Sequence, residues 1–230
     1  MTTPLTDKEL DHLLGFIGYG SLSASSWFIG MEEGGGGEEN LRTRLQFQAV
    51  EDCKAAHEKL GVTRFHGDRP RIQSTWGKMA RVMLRLKGET PTREATRRYQ
   101  AEQLGRSHGE TLLAELMPIP KPNIRQWSYD DLIPQFSSRD DYYAAVMPGR
   151  IKFLRALFNS HQPRLVIAYG KKYWPSFKQL FPVEKYSRED GFECARSDRT
   201  LFVLCDHFAA RSMNGRLEPL VQLVGSQLGE

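Results

Sequence analysis

Side chains that can move protons or hold charge recur directly after short apolar runs in this chain. Glu32 and Glu33 follow Trp27, Phe28 and Ile29 and lead into four consecutive glycines, residues 34–37. Glu115 lies in TLLAELM, just ahead of Pro118, Pro120 and Pro122. Lys171 and Lys172 follow RLVIAYG, and Asp206 and His207 follow LFVLC. Carboxylates set against a histidine can exchange protons with a substrate or stabilise charge as it develops. The glycines add bare backbone that a ligand can approach closely. Each residue also has a plainer explanation. Glu115 can cap a local turn, the lysines can cover a helix start, His207 can be a hydrogen-bonded structural residue, and residues 34–39 can be a flexible linker.

For these groups to meet, the apolar runs must be neighbouring strands. Residues 26–30, 111–117, 164–170 and 201–205 read as buried strands. Helical spacing covers residues 5–20, 41–60, 139–159 and 216–228. A further helix is capped by Ser74 and carries Trp76, Met79, Ala80, Met83 and Leu86 on its apolar stripe, and another holds Trp174 and Phe177. Strands separated by helices, too far apart for hairpins, call for a parallel sheet with helical crossovers. The expectation is an α/β fold: a single three-layer α/β/α domain over residues 1–230, with a central, mostly parallel four-stranded sheet. The N-terminal helix takes about residues 5–20 and the core about 26–228. In such a sheet, ligands bind at the carboxyl ends of the strands.

Composition narrows the classes. With 40% apolar and 26% charged residues, the 230-residue chain reads as globular. No apolar run reaches the roughly 18 residues a membrane helix needs, and no secretory signal is visible at the N-terminus. Cys53, Cys194 and Cys205 are dispersed with no C-x-x-C pair, which argues for a reducing, cytoplasmic setting and against both a disulfide frame and a zinc knuckle. Residues 64–110 hold eleven Lys/Arg against five Asp/Glu, so +6 sits there and −2 in the remainder of a chain of net charge +4. Such a bias fits either a solvated helical face or a surface for an anionic partner.

The order of the motifs resembles the uracil-DNA glycosylase superfamily, especially its single-strand-selective and mismatch-specific branches. The carrying residues are Gly30-Met31-Glu32-Glu33-Gly34, Glu115-Leu116-Met117-Pro118, the strand ending at Gly170, and the loop from His207 to Asn214. The Ser74-Thr75-Trp76 helix start is similar as well. The resemblance implies a DNA-repair hydrolase that flips a base from DNA and hydrolyses its N-glycosidic bond. Glu32 would then activate water or stabilise the sugar cation, and His207 would donate to the departing base. Met31, Glu33, Phe47 and Glu115 would surround the base, Phe47 as its aromatic platform. Ala210, Arg211 and Met213 would form the wedge into DNA, with Lys78, Arg81, Arg85, Lys171 and Lys172 on phosphates. The implied partner is single- or double-stranded DNA, met by a monomer that needs no metal or cofactor, because three scattered cysteines cannot hold a four-cysteine iron–sulfur cluster.

Departures from the pattern shape the expectation. Glu32 and Glu115 stand where the family has shorter amides or acids, Glu33 replaces a proline, and Phe208 and Ala209 replace Pro and Ser. An ionised Glu115 would only accept hydrogen bonds, favouring bases with an outward-pointing N–H. The altered positions also fit a non-catalytic member of the fold that binds nucleic acid or protein. A metal-dependent hydrolase using Glu32, Glu33, Asp206 and His207 is a third reading. A phosphate-cradling loop at residues 34–37 lacks the Gly-Lys-Ser/Thr ending and the G-x-G-x-x-G spacing.

Overall fold

The structure, a computed structural model, describes residues 2–121, 127–181, 183 and 185–229. Pro122, one of the prolines expected to end the second apolar run, lies outside them. In chain order the elements are α1 (Asp7–Leu14), β1 (Gly18–Gly20), β2 (Ser26–Gly34), α2 (Glu38–Arg44), β3 (Val50–Glu51), α3 (Cys53–Lys59), α4 (Ser74–Leu86) and α5 (Arg93–Glu102). There follow β4 (Thr111–Lys121), α6 (Arg139–His161), β5 (Leu165–Tyr169), α7 (Trp174–Lys178), β6 (Ser187–Glu189), β7 (Phe192–Arg196), β8 (Leu201–Cys205) and α8 (Leu217–Leu228). Short 3-10 turns occupy Thr63–Phe65, Lys171–Tyr173 and Arg211–Asn214.

All eight strands form one sheet, in the order β3-β1-β4-β2-β5-β8-β7-β6. This corrects the expected four-stranded, mostly parallel sheet: among the described residues there are eight strands, and the sheet is mixed. The four expected strands lie together at its centre, with β4–β2, β2–β5 and β5–β8 all parallel. On one side β1 runs antiparallel to β4 and carries β3. On the other, β7 and β6 form an antiparallel extension of β8. The added strands are two to five residues long, and β6 is exposed throughout. They carry no long apolar run, the signal by which the central strands can be read.

Side chains alternate between the faces of a strand, and here the two faces feed two cores. Trp27, Ile29, Ala114, Val166, Ala168 and Leu204 join α1, α6 and α7 in one. Phe28, Leu113, Ile167 and Val203 join α3, α4 and α8 in the other. Helices therefore cover both faces, and the near-continuous apolarity of the central strands follows.

Several boundaries move. The first helix is only Asp7–Leu14, closed at its start by a reciprocal Thr6–Glu9 capping box, and β1 follows where helix was expected. The stretch expected as one helix over 41–60 is α2, β3 and α3, with Asp52 capping α3 through Lys54 N–H and Ala55 N–H. The cap of α4 is Gln73 rather than Ser74, its side chain accepting from Thr75 and Trp76. Strand β2 runs on through Glu32 and Glu33, so both carboxyls rise from a strand rather than a loop. No helix among the described residues is long and apolar enough to cross a membrane.

Candidate functional site

Buried polar atoms are ordinarily hydrogen-bonded, so a cluster of them without such partners is a place to look for a site. Among the described residues, seven buried side-chain atoms lack a hydrogen-bond partner. Five belong to Glu32 (Oε1) late in β2, Arg44 (Nη1) at the end of α2, Glu115 (Oε2) midway along β4, Lys121 (Nζ) at its end and Arg139 (Nε) at the start of α6. The carboxyl edge of the parallel strands is thus the candidate site.

Glu32 sits in the interior half of it. Its side chain is 3% exposed, Tyr143 donates to Oε2 at 2.6 Å, and Lys121 and Arg139 form ion pairs at 3.5 and 3.6 Å. The Lys121 ammonium is wholly buried and also faces the rings of Trp127 and Tyr143. Burial lowers the Lys121 pKa, and Glu32 opposes that shift. An open cleft of about 550 Å³, lined by residues including Trp127, Arg139, Asp140 and Lys172, lies beside this group.

Glu115, Tyr169 and His207 form the second half. The Tyr169 hydroxyl donates to Glu115 Oε1 at 3.0 Å, and its ring lies 5.3 Å from that of His207. Gly30 leaves room for this pair, since a Cβ there would meet Glu115 Oε2 at 2.1 Å and the Tyr169 hydroxyl at 2.5 Å. Burial first, and then the Glu33 carboxylate, hold the Glu115 carboxyl well above the usual range. The protonated acid is therefore favoured, and it offers one donor and one acceptor, as an amide does. The expectation of an accept-only Glu115 applies to its ionised form. His207 Nδ1 accepts from Ala209 N–H at 3.1 Å, which assigns the proton of the neutral ring to Nε2. Desolvation of the ring, followed by the charge of Lys78, lowers its pKa and favours that neutral form.

Glu33 joins neighbours of its own. Tyr19 and Arg44 both donate to its Oε2 at 2.8 Å, and its side chain remains 23% exposed. Glu32 and His207, expected to face each other, stand at the ends of β2 and β8 with β5 between them. Glu32 bonds to Tyr143 of α6, which packs on one core, whereas His207 packs on Tyr169 of the other, so the two side chains are drawn to different faces.

The remaining candidates divide. Lys78 donates to Ala210 O at 3.1 Å, tying α4 to the loop after His207. Arg81, Arg211, Lys171 and Lys172 are exposed. Arg85 is exposed and pairs with Glu218 at 3.5 Å. Met213 is wholly buried in the core beneath α4 and α8, so it is no wedge, and that expectation passes to Arg211. Phe47 is 2% exposed, packs on Phe16, and has the Arg44 and Lys59 cations over its ring. Its place is in the core, with Arg44 where a stacked base would have to lie. Met31 is also buried, in the core beside α6. Asp206 is held by Ser212 and Arg216. Among the described residues, Glu32, Glu33, Asp206 and His207 do not converge as metal ligands; Cys53, His57 and His66 do.

Reading the sequence missed Tyr19, Arg44, Lys121, Arg139, Tyr143 and Tyr169. Arg139 and Tyr143 are spaced i, i+4 at the start of a helix candidate, a pairing that could have been noticed. The rest come together only through the sheet order. No family model matches this chain, and no curated protein matches it.

Proposed function

We propose that the chain binds DNA and hydrolyses the N-glycosidic bond of an extruded base, as the uracil-DNA glycosylase superfamily does. The observation that carries this reading is His207, whose Nδ1 accepts from Ala209 N–H so that Nε2 carries the proton of the neutral ring, beside the Tyr169–Glu115 pair at the carboxyl edge of the parallel strands. A departing base becomes anionic, and a fixed neutral donor stabilises it without a charge to desolvate. Protonated Glu115 supplies one donor and one acceptor to the base edge. Glu33, whose charge acts on Glu115 more strongly than that of Glu32, is the carboxylate suited to the sugar cation. Lys78, Arg81 and Arg211 form the basic flank beside His207, and Lys171 and Lys172 form one after β5.

Single-turnover excision on oligonucleotides carrying uracil, hypoxanthine and alkylated bases tests the reading. The wild type should release at least one of them. His207→Ala should slow release by roughly 100-fold or more, and Glu115→Gln should retain far more activity than Glu115→Ala.

A second reading, binding without cleavage, is favoured by the immobilised state of Glu32, whose partners Lys121 and Arg139 already offset its charge. Salt-sensitive DNA binding with no base released from any substrate would select it. Absence of DNA binding would remove both.

A further inference from the structure

On the sheet face away from Glu32, Cys53 and His57 occupy successive turns of α3, and His66 follows the 3-10 turn at Thr63–Phe65. The i, i+4 spacing puts the first two side chains on one side of the helix. One ligand atom from each of the three residues lies within 4.8 Å of the others. We propose that Cys53, His57 and His66 bind a divalent cation of zinc type, a site independent of the glycosylase reading.

These atoms, within 4.8 Å of one another, would have to shift modestly to take a tetrahedral ion. Bond lengths to zinc of about 2.0 Å from nitrogen and 2.3 Å from sulfur require ligand atoms roughly 3.3–3.6 Å apart. His57 Nδ1 and His66 Nε2 are 2.9 Å apart, a few tenths of an ångström from that separation. His66 Nδ1 faces Ala101 O at 3.4 Å. That contact assigns the ring proton to Nδ1 and turns the Nε2 lone pair toward His57, the outer-carbonyl arrangement common around metal-bound histidines. In the absence of an ion, His57 Nδ1–H donates to that lone pair; an ion would take the place of this shared proton. Trp76 stacks on His57 with centroids 4.9 Å apart, and Tyr19 meets the same ring edge-on. These rings fix its orientation. Cys53 is buried and His66 only half-buried, so the ion would enter from the His66 side. Four cations act on these histidines: Arg44, Lys54 and Arg106 are paired with Glu33, Glu58 and Asp52, and Arg64 lies over the Phe65 ring.

Binding would form three metal–ligand bonds and convert the Cys53 thiol to a thiolate, releasing one proton. The His57 ring proton moves to Nε2, and water takes the fourth position. The ion would join α3 to the 61–72 connection and, through Ala101, to α5.

Zinc titration of untagged, chelator-stripped full-length protein tests this, with cobalt as a spectroscopic substitute. We expect one zinc per chain with one proton released, a zinc-dependent rise in Tm, and thiolate-to-cobalt charge-transfer absorption. Cys53→Ser should abolish that absorption, and Cys194→Ser should leave it intact. His66→Gln, at a half-buried position that tolerates change better, should weaken zinc by at least about 100-fold and abolish the rise in Tm. No stoichiometric zinc binding by the wild type, or equal affinity in Cys53→Ser and His66→Gln, would overturn the proposal.

Discussion

Glu115 and Glu32 are both buried acids at one sheet edge, and their neighbours give them opposite characters. Glu115 is buried, with a second carboxylate nearby and, among the described residues, no cation paired with its carboxyl, so its folded pKa is raised. A raised carboxyl pKa stabilises the fold fully below the unfolded value, about 4.3, and that contribution is lost as pH rises toward the folded value. Glu115→Gln keeps the neutral shape, so its Tm advantage over the wild type should be absent near pH 4 and grow toward pH 8. A constant difference in melting scans across that range would contradict a protonated Glu115. Glu32 instead faces the wholly buried Lys121. Glu32→Ala leaves that ammonium without its counter-charge and should cost about 3–5 kcal/mol of stability in denaturant titrations. A loss below about 1 kcal/mol would mean the pair is not structurally important.

At the scale of elements, caps and glycines do the positioning. Gln73 satisfies two otherwise unpaired N–H groups of α4, the helix that carries Lys78 and Arg81. Gln73→Ala should cost about 1 kcal/mol, read from chemical denaturation. Gly30→Ala would push Cβ into the Glu115–Tyr169 pair. Its signature should be loss of the pH-dependent stability attributed to Glu115, which parallel melting series can detect. These elements were unequally legible. The central strands and α4 stood out because a buried strand or amphipathic helix needs a long apolar pattern. Strands β1, β3 and β6 are two or three residues long and held by pairing rather than by pattern. The helix expected across residues 41–60 failed because apolar spacing alone cannot register the Asp52 cap that starts a new helix. His207 was found from its place after β8, whereas Tyr169 was read as one more apolar strand residue although its hydroxyl reaches Glu115.

On the scale of the whole molecule, positive charge lies on α4, on the loop after His207 and on the turn after β5. All three flank the carboxyl edge of the central strands. If the chain binds DNA as proposed, that affinity should fall steeply between low and moderate salt. Replacing Arg81 and Arg211 together by alanine should shallow the log–log slope by about 0.7–0.9 for each phosphate no longer neutralised. A slope unchanged in the double variant would move the DNA surface elsewhere. Strand β5 acts as a fixed gauge between Glu33 and His207. Under the proposed chemistry, an intact nucleotide bridges that gauge, base toward the imidazole and sugar toward the carboxylate. Once its glycosidic bond is cut, neither fragment reaches both sides, so turnover itself would loosen the enzyme's hold and help empty the edge for the next strand.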